Sequence, residues 1–437
     1  MHMTSEQLLT TEQVAQRLGV KPATIYAYVS RGLLSSRRNA AGKGSMFAKA
    51  DVDTLIASRR RVTPNIRTGI TLIRDGALFY RGHDATELAR TATYEAVANL
   101  LWTGEPRHEP FPSNADMVAL ARRIGSALPG AARLADRLRV TVAAVAAADP
   151  LRFDTSPAAV LTTGRTLIAT MVAALPVVPP TVPPAGPSAA PGSPGTEGAQ
   201  GSGGTQGSGG TDGSGGTDHC ARGERSAGAG SLAGLLWPRL TGQPISDSGR
   251  RTLEAALILL ADHDIAASTL AARVAASTRA HPYAVISAGL AALDGPLHGA
   301  ASEHVHPLVA AALSGGDPIT IISERLRATG GIPGFGHPLY ASGDPRAGAL
   351  FDLLGDHPVR AAATRLADAV RTRSGILPNI DLALAALALR YDMPPDAGEA
   401  IFAVARTAGW LAHALEEYAN RPARFRPTGQ YSGRQPS

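Results

Sequence analysis

Three histidines and one aspartate each stand in a short signature of their own. The signatures are Ala261-Asp262-His263-Asp264, Gly295-Pro296-Leu297-His298-Gly299-Ala300, Pro333-Gly334-Phe335-Gly336-His337 and Leu377-Pro378-Asn379-Ile380-Asp381. One carboxylate plus several neutral imidazoles is the equipment that carbon–carbon condensation beside a carbonyl demands. A carboxylate is a weak base for a carbon-bound proton, so the enolate it forms needs a hydrogen-bond donor aimed at the carbonyl oxygen. A neutral histidine supplies that donor, a second polarises the carbonyl under attack, and arginines grip an anionic acceptor in bidentate fashion.

Each residue also has a plainer reading. His263 sits in the apolar run 256–277, where a lone histidine is more often a satisfied core group. His298 and His337 lie in glycine-rich turns, Asp381 is placed to cap a helix, and Arg346 and Arg406 suit surface ion pairs. From Ile70 onward, long Ala-, Leu- and Arg-rich segments with few β-branched alternations predict a mainly α-helical body.

The front of the chain differs in charge. Residues 1–63 hold ten Lys and Arg against four Asp and Glu, which accounts for the whole net charge of +6 and points to a polyanionic partner. Thr10-Thr11-Glu12-Gln13 is a capping-box start, with Val14, Ala15 and Leu18 on one face. Pro22 opens a second helix that buries Ile25 and Val29 and ends at Gly32. This helix-turn-helix pattern, with a polar hairpin over residues 37–45, resembles the winged helix-turn-helix of MerR and excisionase type. The resemblance places Lys21, Thr24 and Tyr26 on or beside the recognition helix, and Arg37, Arg38 and Lys43 in a wing near phosphates. Tyr26 and Tyr28 do not both face outward on one helix. A protein-docking module of the same fold is the other reading.

At 437 residues the chain is long enough for two or three domains. A hydrophobic share of 44% with 18% charged residues is ordinary for a globular protein. No apolar run is expected to reach the roughly 18 residues of a membrane span, and residues 1–7 do not resemble a signal peptide, so a cytoplasmic location is expected. Cys220 is the single cysteine, which excludes an internal disulfide. His304 and His306 lack further suitably spaced ligands, so no metal is expected. Residues 176–218, Pro-rich and then built of three Gly/Ser hexads, predict a flexible insertion.

Taken with Asp344-Pro345-Arg346, Ile73-Arg74-Asp75-Gly76, Tyr80-Arg81-Gly82, Ala405-Arg406-Thr407-Ala408-Gly409-Trp410 and Arg426-Pro427, the four signatures resemble the citrate synthase family over nearly everything after residue 66. The resemblance implies a two-domain helical fold behind the winged helix-turn-helix. Its boundaries are 1–62 for the DNA-binding module, 66–297 for a large domain with the insertion 176–218, 298–390 for a small domain, and 391–437 for a return to the large one. It implies a homodimer that condenses acetyl-CoA or propionyl-CoA with oxaloacetate, with acyl-CoA as substrate and no permanently bound cofactor.

By the same resemblance Asp381 removes the acyl proton, His298 donates to the thioester oxygen, and His337 polarises the ketone. His263, Arg346, Arg406 and Arg426 bind oxaloacetate, the last from the partner subunit, and the backbone of Ile332, Pro333, Gly334, Phe335 and Gly336 contacts CoA. Departures fall on the CoA side: Ala341 and Thr428 stand where basic residues are common, Pro338 follows His337, and Leu382-Ala383-Leu384 replaces an aromatic-containing stretch. Missing charges weaken attraction for phosphate. A second reading is therefore a transcriptional regulator that uses a synthase-like body of low activity as a metabolite sensor.

Overall fold

Thr10 and Gln13 close a reciprocal cap: the Thr10 amide donates to Gln13 Oε1 at 2.9 Å and the Gln13 amide to Thr10 Oγ1 at 3.3 Å. That cap starts the helix Thr11–Leu18, whose inner residues Val14 and Ala15 join Ile25, Leu34, Phe47 and Val52 in a small core. A three-stranded antiparallel sheet, in the order Leu8–Thr10, Ser45–Ala48, Arg37–Arg38, and the helix Lys49–Arg59 complete this unit. Tyr28 is half-buried against the core, and Arg37 is exposed on its strand.

The computed structural model describes residues 8–18, 20, 22, 25, 28–29, 34–38, 45–59, 66–180, 230–425 and 433. They fall in two compact units, Met1–Arg67 and Thr68–Ser437. Lys21, Thr24, Tyr26, Lys43, the side chain of Arg38, Arg426 and residues 181–229 lie outside the described residues.

The second unit begins with a three-stranded meander, Thr71–Arg74, Ala77–Tyr80 and His83–Asp84. Asp75-Gly76 and Arg81-Gly82 form its two turns, all four residues at positive φ, the backbone a two-residue hairpin of right-handed twist requires. The meander's Tyr80 is fully buried, and its hydroxyl reaches the carbonyls of Ile258 at 3.1 Å and Asp262 at 2.9 Å. A small sheet thus ties down the loop after the helix Asp247–Leu260.

Helices make up the rest. Ala397–Ala419 runs through the core, buried on nearly every side, and packs against Ala267–Ser277, Pro282–Leu293 and Pro157–Ala174. Close approach is possible because small residues face large ones: a Cβ on Gly289 would strike the Trp410 ring, and one on Gly164 would strike Leu411. Pro157–Ala174 corrects one expectation, since its 18 residues are apolar enough for a membrane span by length and composition. Half of it is buried, against Ala397–Ala419 and Ala115–Gly125 among others. The first residues of the expected insertion are held in place, with the Val178 amide donating to Pro238 O at 2.8 Å.

Candidate active site

Two turns are laced together by backbone and side-chain amides. Gly336 N–H donates to Leu377 O at 2.8 Å, Asn379 N–H to Gly334 O at 3.0 Å, and the Asn379 side chain to Gly336 O at 3.1 Å. Gly334 and Gly336 have φ of +86° and +78°, and a Cβ on Gly334 would meet Val305, so the turn needs glycine there. Asn379 Oδ1 also accepts the Asp381 amide at 3.0 Å and so caps the helix Ile380–Arg390. Asp381 is relieved of the capping role that its position also suited, and its carboxyl faces the cavity.

Asp344 performs a similar service for Arg346. Its carboxylate accepts Arg346 Nε at 2.9 Å and Nη2 at 2.8 Å, and also the Ile380 amide at 3.1 Å, all in a buried setting. One carboxylate therefore registers the arginine against the first turn of the helix that carries Asp381. Burial alone would raise Asp344, but the bidentate Arg346 contact holds it below the usual carboxylate range.

The imidazoles are each fixed by a neighbour. Leu339 N–H donates to His337 Nδ1 at 3.1 Å. His298 Nε2 lies 2.8 Å from Ser268 Oγ and its ring meets Phe402 edge to face at 5.5 Å. His263 Nε2 lies 2.8 Å from the Tyr340 hydroxyl, and its ring stands edge-on to His337 at 5.0 Å. Tyr340, buried itself, also tilts over His337 at 4.8 Å.

Arg406 donates through Nε to Leu260 O at 2.8 Å, and its guanidinium stacks over Phe402 at 4.6 Å. Its Nη1 and Nη2 are buried without a hydrogen-bond partner among the described residues. Two unsatisfied donors on a buried cation are costly unless an anion completes them.

These side chains share one cavity of about 340 Å³, lined by His263, His298, His337, Arg346, Asp381 and Arg406 among others. Their segments are spread from residue 263 to residue 406, and the fold converges them. Of the expected CoA contacts, Gly336 lines this cavity, while Ile332 and Phe335 are half-buried and packed on the core. Ala341 lines an adjoining cavity of about 220 Å³ that shares Gly336 and His337.

The electrostatics sort the groups by role. Burial, with the cation of Arg406 behind it, lowers His298 to about 4. Burial and Arg346 lower His337 as well, with Asp344 opposing, and the enclosed His263 falls well below the ordinary imidazole value for the same first reason. All three rings are neutral at pH 7. Burial pushes Asp381 up to about 7, opposed by Arg346 and helped by Asp344, although the residue as a whole is only half-buried and lines the cavity. Burial lowers Arg406 to about 10, which leaves it charged at neutral pH. The arrangement offers a carboxylate of unusual basicity beside neutral donors and two cations.

The family model for the citrate synthase C-terminal domain matches residues 60–183 and 214–428. The chain belongs to the citrate synthase family. A helix-turn-helix domain model matches residues 8–60 in front of it. Citrate synthase 2 of Bacillus subtilis is 36% identical over 201 residues, 44% of this chain and 54% of that protein, so this chain aligns with about half its length. Citrate synthase of the archaeon Haloferax volcanii is 28% identical over 368 residues, 82% of this chain and 90% of that protein. Among solved structures, the ternary complex of Thermoplasma acidophilum citrate synthase with carboxymethyl coenzyme A and oxaloacetate shares the fold. Its TM-score is 0.62, at 22% identity over 87% of this chain and 97% of that one.

Within this citrate synthase-family body, sequence reasoning missed Ser268, Tyr340 and Phe402. The spacing His337-x-x-Tyr340 and the stripe Phe402 to Arg406 were the available signals. Asn379 and Asp344 were visible in their signatures without an assigned role.

Proposed function

We propose that this protein condenses an acyl-CoA, acetyl or propionyl, with oxaloacetate, releasing CoA and citrate or 2-methylcitrate after hydrolysis of the thioester. The convergence of Asp381 with His298 and His337 in a cavity that also holds Arg346 and Arg406 supports this reading most directly. Asp381 removes a proton from the acyl carbon while His298 donates to the thioester oxygen, so negative charge never accumulates unsupported. His337 donates through Nε2 to the ketone, which the new carbon nucleophile attacks, and passes its proton to the developing alkoxide. Arg406, with two free nitrogens, and Arg346 grip the dicarboxylate, and His263 lines the same space. The stretch 332–336 takes part of the CoA. We further propose a homodimer in which Arg426 serves the partner's site, and a small domain, 298–390, that closes on the large one. Thiol release from acetyl- and propionyl-CoA, with and without oxaloacetate, tests the reaction, and the faster donor identifies the product. No thiol release from either donor would refute it.

The match of residues 8–60 to a helix-turn-helix model favours a second activity, DNA binding by the front unit, through Lys21, Thr24, Tyr26, Arg37, Arg38 and Lys43. Salt-sensitive retardation of the protein's own upstream DNA, abolished by deleting residues 1–62, is the expected result. Absence of retardation at low salt would favour the docking role.

A further inference from the structure

Beyond Arg406, the helix Ala397–Ala419 carries two buried polar residues, His413 and Glu417, that the proposed chemistry leaves unused. Arg406, Gly409, His413 and Glu417 recur at helical spacing on one face. His413 and Glu417 are fully buried, as are Arg273 on the helix Ala267–Ser277 and Asp262 in the loop before it. Buried charges of this kind are retained only where partners satisfy them.

The contacts form a continuous chain. Glu417 accepts Arg273 Nε at 2.6 Å and, from the other side, Arg424 Nε at 2.7 Å. Arg273 Nη1 lies 2.5 Å from His413 Nδ1 and 2.7 Å from Glu416 Oε2. Arginine has no acceptor, so His413 Nδ1 must accept and the ring proton stays on Nε2. That Nε2–H faces Asp262 Oδ2 at 3.2 Å, and the same oxygen takes the Thr71 hydroxyl at 2.5 Å.

Asp262 is the residue immediately before His263. Its segment lies flush on the long helix, where the Gly409 amide donates to Ala261 O at 3.1 Å and a Cβ on Gly409 would collide with Asp262. The chain turns just afterwards at Asp264, with φ +52°; the Asp262 side chain is buried in the core while His263 lines the cavity. At the other end, Ala423 N–H donates to Ser277 O at 2.7 Å, and Arg279 binds the carbonyls of Glu417 and Asn420.

We infer that His413, held between Arg273 and Asp262, is a positioning residue that sets the His263 loop and the 420–424 segment in one register. The inference rests on the proposed condensation for its kinetic consequence, since His263 is there a ligand of oxaloacetate. A fixed imidazole edge spares the loop the ordering cost that binding would otherwise carry.

The test compares full-length wild type with His413→Ala and His413→Gln, whose amide keeps one acceptor and one donor. His413→Ala should speed amide hydrogen exchange in both 260–264 and 420–424. It should also raise the KM for oxaloacetate roughly ten-fold while leaving that for acyl-CoA unchanged. His413→Gln should restore most of both. Should His413→Ala not fold, Arg273→Lys, which cannot reach Glu417 and His413 together, should give the same pattern. Unchanged exchange in 260–264, or equal changes in both KM values, overturns the inference. Wild type without turnover would sink the condensation instead, and exchange alone would then judge the relay.

Discussion

The backbone amide of Leu339 points at His337 Nδ1 from 3.1 Å, which leaves the proton of the neutral ring on Nε2. A backbone donor cannot be titrated away, so the tautomer is built into the turn. The mechanism proposed for the ketone follows from that one contact, because only Nε2 is left to donate.

Asp381→Asn removes the base but keeps the shape. Loss of a general base costs roughly 10²- to 10⁴-fold, so thiol release should fall to that extent while oxaloacetate binding persists. In wild type the base works only when ionised. With its carboxyl at about 7, kcat/KM for acyl-CoA should drop tenfold per pH unit below that value and level off above it. A pH profile flat down to pH 5 would show that Asp381 is not the base.

The same substitution should stabilise the fold, by an amount that grows above about pH 4 and is complete above about pH 7. Burial raises the native carboxyl of Asp381 from 3.8 to about 7, so the unfolded chain ionises first as pH rises. Native stability is therefore lost between about pH 4 and pH 7 and stays lost above. Asp381→Asn escapes that penalty. Its urea midpoint should exceed wild type at pH 8 and match it near pH 4.

Much of this site was legible because its residues sit in short signatures with turn chemistry of their own. Gly334, Gly336 and Pro378 announce turns, and the helix-breaking context of His298 does the same. The contacts that fix those residues were not legible. Tyr340 reaches His263 across 77 positions, and Asp344 binds the Ile380 amide 36 positions away, pairings that no local period encodes. The mainly helical body followed from composition. The membrane criterion met by Pro157–Ala174 did not, because Thr162, Thr163, Gly164, Arg165 and Thr166 interrupt its apolar run while the helix as a whole stays apolar on average.

Asp344→Asn should injure both stability and binding. The carboxylate is buried and accepts two nitrogens of Arg346 as well as the Ile380 amide, so an uncharged amide leaves Arg346 without its counter-ion. Breaking a buried pair in this way costs about 3 to 5 kcal/mol. The variant should melt lower and bind oxaloacetate more weakly. Because Asp344 helps to raise Asp381, the acid limb of the pH profile should also shift below its wild-type position. Loss of stability with an unmoved limb would show the two carboxyls to be uncoupled.

Ser268→Ala addresses the tautomer of His298. Ser268 is fully buried, and among the described residues its hydroxyl meets no hydrogen-bond acceptor other than His298 Nε2. A buried hydroxyl seldom leaves its proton unused, so it donates to Nε2 and the ring proton resides on Nδ1. Removing the hydroxyl lets the proton move to either nitrogen and frees the ring to turn against Phe402. Turnover should then fall roughly 10- to 100-fold, by analogy with the loss seen when a metal-bound imidazole is deprived of its orienting partner, while KM for oxaloacetate stays near wild type. Ser268→Thr retains a hydroxyl on the same face of its helix and should recover part of the rate. An alanine variant as fast as wild type would mean that His298 is oriented by its packing on Phe402 alone.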